Sequence, residues 1–375
     1  MDTLHFLQHY WWAIVSLLGA LLVFLMFVQG GQTMLFNTAS NEDEKQHLIS
    51  ILGHKWEITY TTLVTFGGAA FASFPLFYST SFGGAYWLWL LILFLFVVQA
   101  VSYEFRDKAG NLLGKNTYDL FLFLNGTLGT LLIGVAVGTL FTGGAYYMNK
   151  ANMSNIISPM VSYWANGWKG IECLANPVNL LLGAVVLFAS RTLGFYYAIS
   201  NTPVQFSGFT TKAKKHFTVS SLIFVVLFVA FLAVLMLMKG YEVIPATGEI
   251  IEIEYKYFNN FITLVWPLLM LLAGTLLVLY GIVKGIFLGK FSNVDFYITG
   301  GGVVLAVWSI LICAAFNNTA YFHSTAQIQD SLTLYNSSSS LFTLKAMAIV
   351  SLLVPFVVAY IAYCWRALGN SVRKY

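Results

Sequence analysis

The stretch HKWEITYTTLVT, residues 54–65, sets a histidine, a lysine and a glutamate at the mouth of a long apolar run. A carboxyl group in a partly desolvated place has a raised proton affinity and can pass protons along a polar chain. Glu57 is such a group, and Thr59, Thr61, Thr62 and Thr65 offer hydroxyls further into the same segment. The residues alone also allow a simpler account: an acid in the first turn of a helix is favoured by the helix dipole and needs no other role. Trp56 beside it reads equally as an interfacial anchor.

Two more ionisable groups stand in apolar runs, where charge is costly and marks a functional candidate. Asp119 opens one run and reads first as an N-terminal cap. Arg191 lies well inside another and calls for a buried acid, a partner subunit or a lipid headgroup, with the choice left open. The six histidines, His5, His9, His47, His54, His216 and His323, fall in loops or at run ends, so no bis-histidine heme pair on facing helices is expected. Methionines inside runs, such as Met26, Met236 and Met270, read as packing. Cys173, Cys313 and Cys364 form no CxxC pair, so neither a disulfide framework nor a zinc site is implied. Walker, GxGxxG and HExxH motifs are missing, which leaves nucleotide hydrolysis and zinc proteolysis without support. No metal is expected on this chain.

The elements that must position these groups follow from composition. The chain has 375 residues, 58% hydrophobic and only 9% charged, about a third of the charge usual in soluble domains. Apolar runs of roughly 20 residues, long enough to cross a bilayer, recur along it. Nine are read, at 11–31, 58–82, 84–103, 119–142, 174–197, 218–238, 262–283, 298–316 and 345–366. Each is predicted to be a helix, because a lone strand in lipid leaves its backbone unsatisfied, and continuous apolarity excludes an alternating barrel. The predicted class is an all-α integral membrane protein, with one membrane domain over 1–375. The first run is too long for a cleaved signal peptide and no basic residue precedes it, so it is expected to remain a membrane helix.

With nine spans the loops sort into two alternating sets. Thirteen lysines and arginines fall in one set, and four, Lys150, Lys169, Lys239 and Lys256, in the other. The positive-inside rule then predicts an external N-terminus and a cytoplasmic C-terminus. Loops 143–173, 239–261 and 317–344 fall outside, and the stretch 241–255 alternates around a Pro245 and Gly248 turn in a manner that suits a solvated hairpin. Pro75, Pro267 and Pro355 predict kinks, Gly134 and Gly138 form a GxxxG pair for close packing, and the small residues of 67–73 suit the same purpose. Asn176 and Pro177 read as cap and first residue of a helix.

Several stretches together resemble subunit II of the cytochrome bd quinol oxidases: residues 54–82, YEFRDK at 103–108, NPVNLLLG at 176–183, 331–347 and 353–369. The resemblance implies two four-helix bundles plus one peripheral helix, in agreement with the nine runs. It implies a partner, subunit I, that carries heme b, heme d and the quinol site, in a complex that oxidises quinol and reduces dioxygen to water with cytoplasmic protons. This chain alone is then not expected to be catalytic or to bind the hemes itself. A small accessory subunit and membrane lipid complete the expected partners, with no nucleic acid, in a bacterial cytoplasmic (inner) membrane. The resemblance also associates the position of Glu57 with a proton path toward heme d, with Trp56 beside it, and so favours a relay over dipole capping; Thr61, one turn on, is the hydroxyl expected to continue that path. The sequence departs from the family at 28–34, VQGGQTM, where an acidic TDGFDMG-like motif is often found. Gln29 and Gln32 form hydrogen bonds but release no proton. A secondary transporter is the competing reading, but nine helices do not divide into matching halves and no repeat is evident. A purely structural scaffold is the third.

Overall fold

The computed structural model describes residues 2–353 apart from 156 and 158, together with 356, 359, 360 and 363. The helices are α1 (Thr3–Leu25), α2 (Phe27–Gln32), α3 (Met34–Asn37), α4 (Glu42–Gly53), α5 (Trp56–Ser73), α6 (Pro75–Tyr78), α7 (Tyr86–Phe105) and α8 (Lys115–Leu124). They continue as α9 (Thr130–Thr142), α10 (Pro177–Asn201), α11 (Ser207–Leu237), α12 (Lys256–Thr263), α13 (Val265–Leu288), α14 (Asn293–Ala315), α15 (Leu334–Ser337) and α16 (Leu341–Ser351). Two antiparallel ribbons join β1 (Tyr146–Met148) to β2 (Ser162–Trp164) and β3 (Gly240–Val243) to β4 (Ile250–Ile253). The second ribbon is the hairpin that the alternation of 241–255 suggests.

Among the described residues, seven stretches are long and apolar enough to cross a membrane: Thr3–Asn37, Tyr86–Phe105, Lys115–Thr142, Pro177–Asn201, Val204–Leu237, Val265–Leu288 and Asn293–Ala315. They cover seven of the nine predicted runs. The run 58–82 is divided instead: α5 ends at Ser73 with Phe74 as its C-cap, Pro75 opens α6, and a π-helical segment follows over Ser79–Gly84. A proline lacks the N–H that would continue the helix, and its ring crowds the preceding turn. The run 345–366 begins in α16, while Pro355, Cys364 and most of its remainder lie outside the described residues. Pro267 stands in the first turn of α13, just after the break at Leu264.

Glycines let several helices cross closely. A β-carbon at Gly134 would lie 2.6 Å from Gly183 Cα, and one at Gly138 would lie 2.6 Å from Asn179 Oδ1, so the GxxxG pair of α9 sits directly on α10. The start of α10 is as read: Asn176 accepts from the Val178 N–H, with Pro177 first in the helix. Gly30 of α2 meets the backbone of Ser190 and Arg191, and Gly274 of α13 meets Gly302 and Ala306 of α14. Overpacked cores lose about 1–3 kcal/mol, so Gly134→Ala is expected to lower stability by about that amount. The thermal midpoint of the purified assembly reads it, and a midpoint equal to wild type would refute the contact.

The loops 143–173, 239–261 and 317–344 gather at one end of the bundle. Gly144 bridges Ser324, Glu242 bridges Thr319, and the buried Lys256 ammonium binds Glu242 and the Asn317 carbonyl. Within this cap the His323 ring packs 4.4 Å from Tyr241, and burial pushes its pKa down from 6.5 to about 4. A depressed histidine pKa means that the fold favours the neutral ring. Its contribution, up to about 3 kcal/mol, is therefore full above pH 6.5 and lost as pH falls toward the folded value. His323→Phe is expected to flatten the acid destabilisation between about pH 6 and 4, read from thermal midpoints across that range. An unchanged slope would contradict it.

Candidate functional site: the Glu57 crevice

Glu57 sits in the first turn of α5, whose N-cap, Lys55, makes no side-chain cap bond. Among the described residues its carboxylate has no hydrogen-bond or ion-pair partner, and it faces an open polar crevice. Gln46, Ser50, Gly53, His54, Trp56, Tyr103 and Glu104 line that crevice with it. Lys55, between His54 and Trp56, is buried, and burial pushes its ammonium down to about 8. Trp56 is half-buried and stacks on Tyr103, with ring centroids 6.0 Å apart and planes 9° from parallel.

The threonines of α5 divide by helical spacing. Thr61 and Thr65 share the exposed face with Glu57, four and eight residues on, and Val64, Gly68 and Phe71 continue that stripe. Thr59 instead points into the bundle and donates to the Leu25 carbonyl at 3.1 Å. Thr62 is half-buried and bonds its own helix at Ile58. The structure thus brings Glu57, Trp56 and Thr61 to one end of α5, with Glu57 and Thr61 on the same exposed side.

Asp119 is not an N-terminal cap. It lies in the second turn of α8, fully buried, because the helix begins four residues earlier, at Lys115. Its Oδ1 accepts from Arg106 Nε at 2.7 Å and its Oδ2 from Lys45 Nζ at 3.0 Å. The Arg106 guanidinium, itself 1% exposed, also donates to Glu42 at 2.9 Å, Asp107 at 3.1 Å and Gln46 at 2.8 Å. Burial works to lower the proton affinity of this guanidinium, but the bonds from Asp119 and Glu42 outweigh it and raise it. The hub ties α4, α7 and α8 together, and through Gln46 it adjoins the crevice. In the sequence Arg106 stood out only as a loop cation within YEFRDK, with no partner indicated.

Arg191, on α10, has no acid partner among the described residues. Its guanidinium lies over the Phe195 ring at 5.6 Å, and its Nε has no acceptor. The buried-acid account of Arg191 is thus not realised within the described part of the chain. Gln29 and Gln32 are fully buried and converge on a third amide that the sequence reading did not single out: their Nε2 groups donate to Gln99 Oε1 at 2.8 and 2.7 Å. Gln32 Nε2 also donates to the Tyr103 hydroxyl at 3.1 Å, which links the amides to the crevice wall. Among the described residues no group of three or more His, Cys, Asp or Glu gathers as a metal-holding set.

The family model of cytochrome bd terminal oxidase subunit II matches residues 7–368. The chain is 26% identical to cytochrome bd-I ubiquinol oxidase subunit 2 of Escherichia coli, over 98% of this chain and 96% of that one. It is 27% identical to cytochrome bd ubiquinol oxidase subunit 2 of Bacillus subtilis, over 96% and 94%. It also resembles a probable cytochrome oxidase subunit 2 of Haemophilus influenzae, at 26% over 96% and 92%. Its fold is similar to that of a chain in the bd oxidase structure from Geobacillus thermodenitrificans, with a TM-score of 0.54 at 11% identity, over 99% of this chain and 97% of that one. A match that runs through the crevice, the Arg106 hub and the helix crossings alike makes this chain a member of the cytochrome bd terminal oxidase subunit II family.

Proposed function

We propose that this chain is the subunit of a quinol:dioxygen oxidoreductase that supports a heme-bearing subunit I and loads cytoplasmic protons through Glu57. The observation that carries the reading is the uncovered stripe on α5. Glu57, Thr61, Thr65 and Gly68 share one exposed face of a membrane-bound chain. Polar groups at that depth are costly against lipid, and a partner subunit that covers the face turns the same groups into a desolvated, hydrogen-bonding path. Trp56 holds the entrance beside Glu57, and Thr61 is the next hydroxyl along the face. Heme b and heme d, carried by subunit I, supply electron transfer and oxygen reduction, with quinol as the donor.

The same reading takes α5 with α6, and α16 with the residues after it, as two further crossings beside the seven apolar spans. That makes nine helices, in two four-helix bundles plus one peripheral helix. The gathering of three long loops at one end supports the alternation, and the basic loops then lie in the cytoplasm with the C-terminus, while the N-terminus lies outside. Glu57 opens on the basic side, as uptake from the cytoplasm requires. Arg191 and its open acceptor need are left for subunit I or a lipid headgroup, and Asp119 for the internal support of the crevice.

The test is purification from native membranes through a tag on this chain, followed by a reduced-minus-oxidised optical spectrum. The expected result is b- and d-heme signals that travel with a second polypeptide. A folded preparation free of heme and of any second subunit would overturn the assignment.

A further inference from the structure

We propose that Tyr103 is a positioning residue for Glu57, an inference that rests on the reading of Glu57 as the proton-loading carboxylate. Glu57 has no side-chain partner among the described residues, so its place is set by the turn that carries it, residues 53–57. Tyr103 holds that turn from two sides. A β-carbon at Gly53 would lie 3.2 Å from Tyr103 Cδ1, so Gly53 lets the ring against the end of α4. On the other side the ring lies nearly parallel to Trp56, the residue before Glu57. The Tyr103 hydroxyl accepts from Gln32 Nε2, and that amide shares Gln99 Oε1 with Gln29. One ring thus connects α2, the α4–α5 turn and α7.

The tether cannot be read as an accident of amide orientation. Exchanging O and N in all three glutamines together reverses each bond, with the Tyr103 hydroxyl then donating to Gln32, but keeps every contact. All three glutamines are fully buried, so the cluster is a neutral anchor rather than a second titrating site. The charged and titratable groups around the turn are His54 and Lys55 in the turn, Glu104 on α7, and Arg106 with Asp107 beyond Gln46. None of them bonds Glu57 among the described residues, so the orientation of Glu57 depends on packing, and Tyr103 supplies it.

The test measures oxygen consumption per heme against pH in the full complex, for wild type, Tyr103→Leu, Tyr103→Phe and Glu57→Gln. Tyr103→Leu removes the stack and the tether, and is expected to lower turnover per heme about tenfold, since misplaced catalytic groups lose rate steeply. It should also move the alkaline limb of the profile to lower pH, because a poorly placed acid loads protons less well when they are scarce. Tyr103→Phe keeps the stack and is expected to recover turnover to within about threefold of wild type. Wild-type turnover and profile in Tyr103→Leu, beside an impaired Glu57→Gln, would overturn the role of Tyr103 alone. An unimpaired Glu57→Gln would overturn the underlying reading instead. Less assembled complex with an unchanged profile per heme would mark Tyr103 as structural only and also overturn the inference. If Tyr103→Leu does not assemble, Gly53→Ala presses the same ring from the other side and is expected to shift the limb in the same direction; an unshifted limb would overturn the proposal.

Discussion

Glu57→Gln is expected to lower the steady-state oxygen consumption of the assembled complex by about 100-fold, the scale of a lost proton-transfer group. The carboxamide matches the carboxylate in shape and keeps hydrogen-bonding capacity, but it cannot take up and release a proton. Because Glu57 is exposed in this chain and makes no bond among the described residues, its replacement breaks no contact that holds the fold. The amount of complex and its heme content should therefore stay at wild-type level while turnover collapses. Glu57→Asp, which keeps the acid on a shorter stem, should retain a substantial part of the rate. Full turnover in Glu57→Gln would leave the chain with a scaffold role only.

The second large effect concerns stability. Arg106→Leu removes the hub that joins Asp119, Glu42, Asp107 and Gln46. Asp119 is fully buried, and without Arg106 its Oδ1 loses its charged donor while Lys45 still holds Oδ2. Breaking a buried ion pair by removing one partner costs about 3–5 kcal/mol, and the retained Lys45 contact puts the expectation near about 3 kcal/mol. Arg106→Lys should recover little, because an ammonium cannot reach four acceptors at once in the geometry of a guanidinium fork. The double variant Arg106→Leu with Asp119→Leu is expected to be less damaging than the sum of the two single changes, since it leaves no buried carboxylate without its guanidinium. Thermal unfolding of the complex in detergent reads these variants together with Asp119→Leu alone, and a loss under about 0.5 kcal/mol for Arg106→Leu would show that the hub is not a stabilising element.

What the sequence disclosed follows local physics. Long apolar runs, the Asn176–Pro177 helix start, the Gly134–Gly138 packing face and the 241–255 hairpin each depend on residues a few positions apart, and periodicity or turn chemistry reveals them. Pro75 announced a kink in 58–82, but a full division of the run was less visible, because hydropathy averages over the proline while the backbone cannot. The Arg106–Asp119 pair escaped because its partners lie on different helices, and no local pattern says which distant charge a buried arginine will meet. Asp119 looked like a cap only because the helix start was read at the first apolar residue rather than at Lys115. Gln99 was hidden inside an apolar run, where a single amide carries no periodic signal. Its meaning emerges only when α2 brings Gln29 and Gln32 against α7. Glu57 itself was legible as a candidate, but the exposed stripe that gives it a direction required knowing which face of α5 the rest of the chain leaves uncovered.

The role of Glu57 is read most directly from proton uptake itself. The fully reduced complex, in weak buffer with a pH indicator on the cytoplasmic side, is mixed with oxygen, and alkalinisation is followed alongside heme oxidation. Wild type is expected to take up protons in step with oxidation, and Glu57→Gln to delay uptake by about two orders of magnitude with heme content unchanged. Proton uptake at the wild-type rate in Glu57→Gln would contradict that role and place the proton entrance elsewhere in the complex.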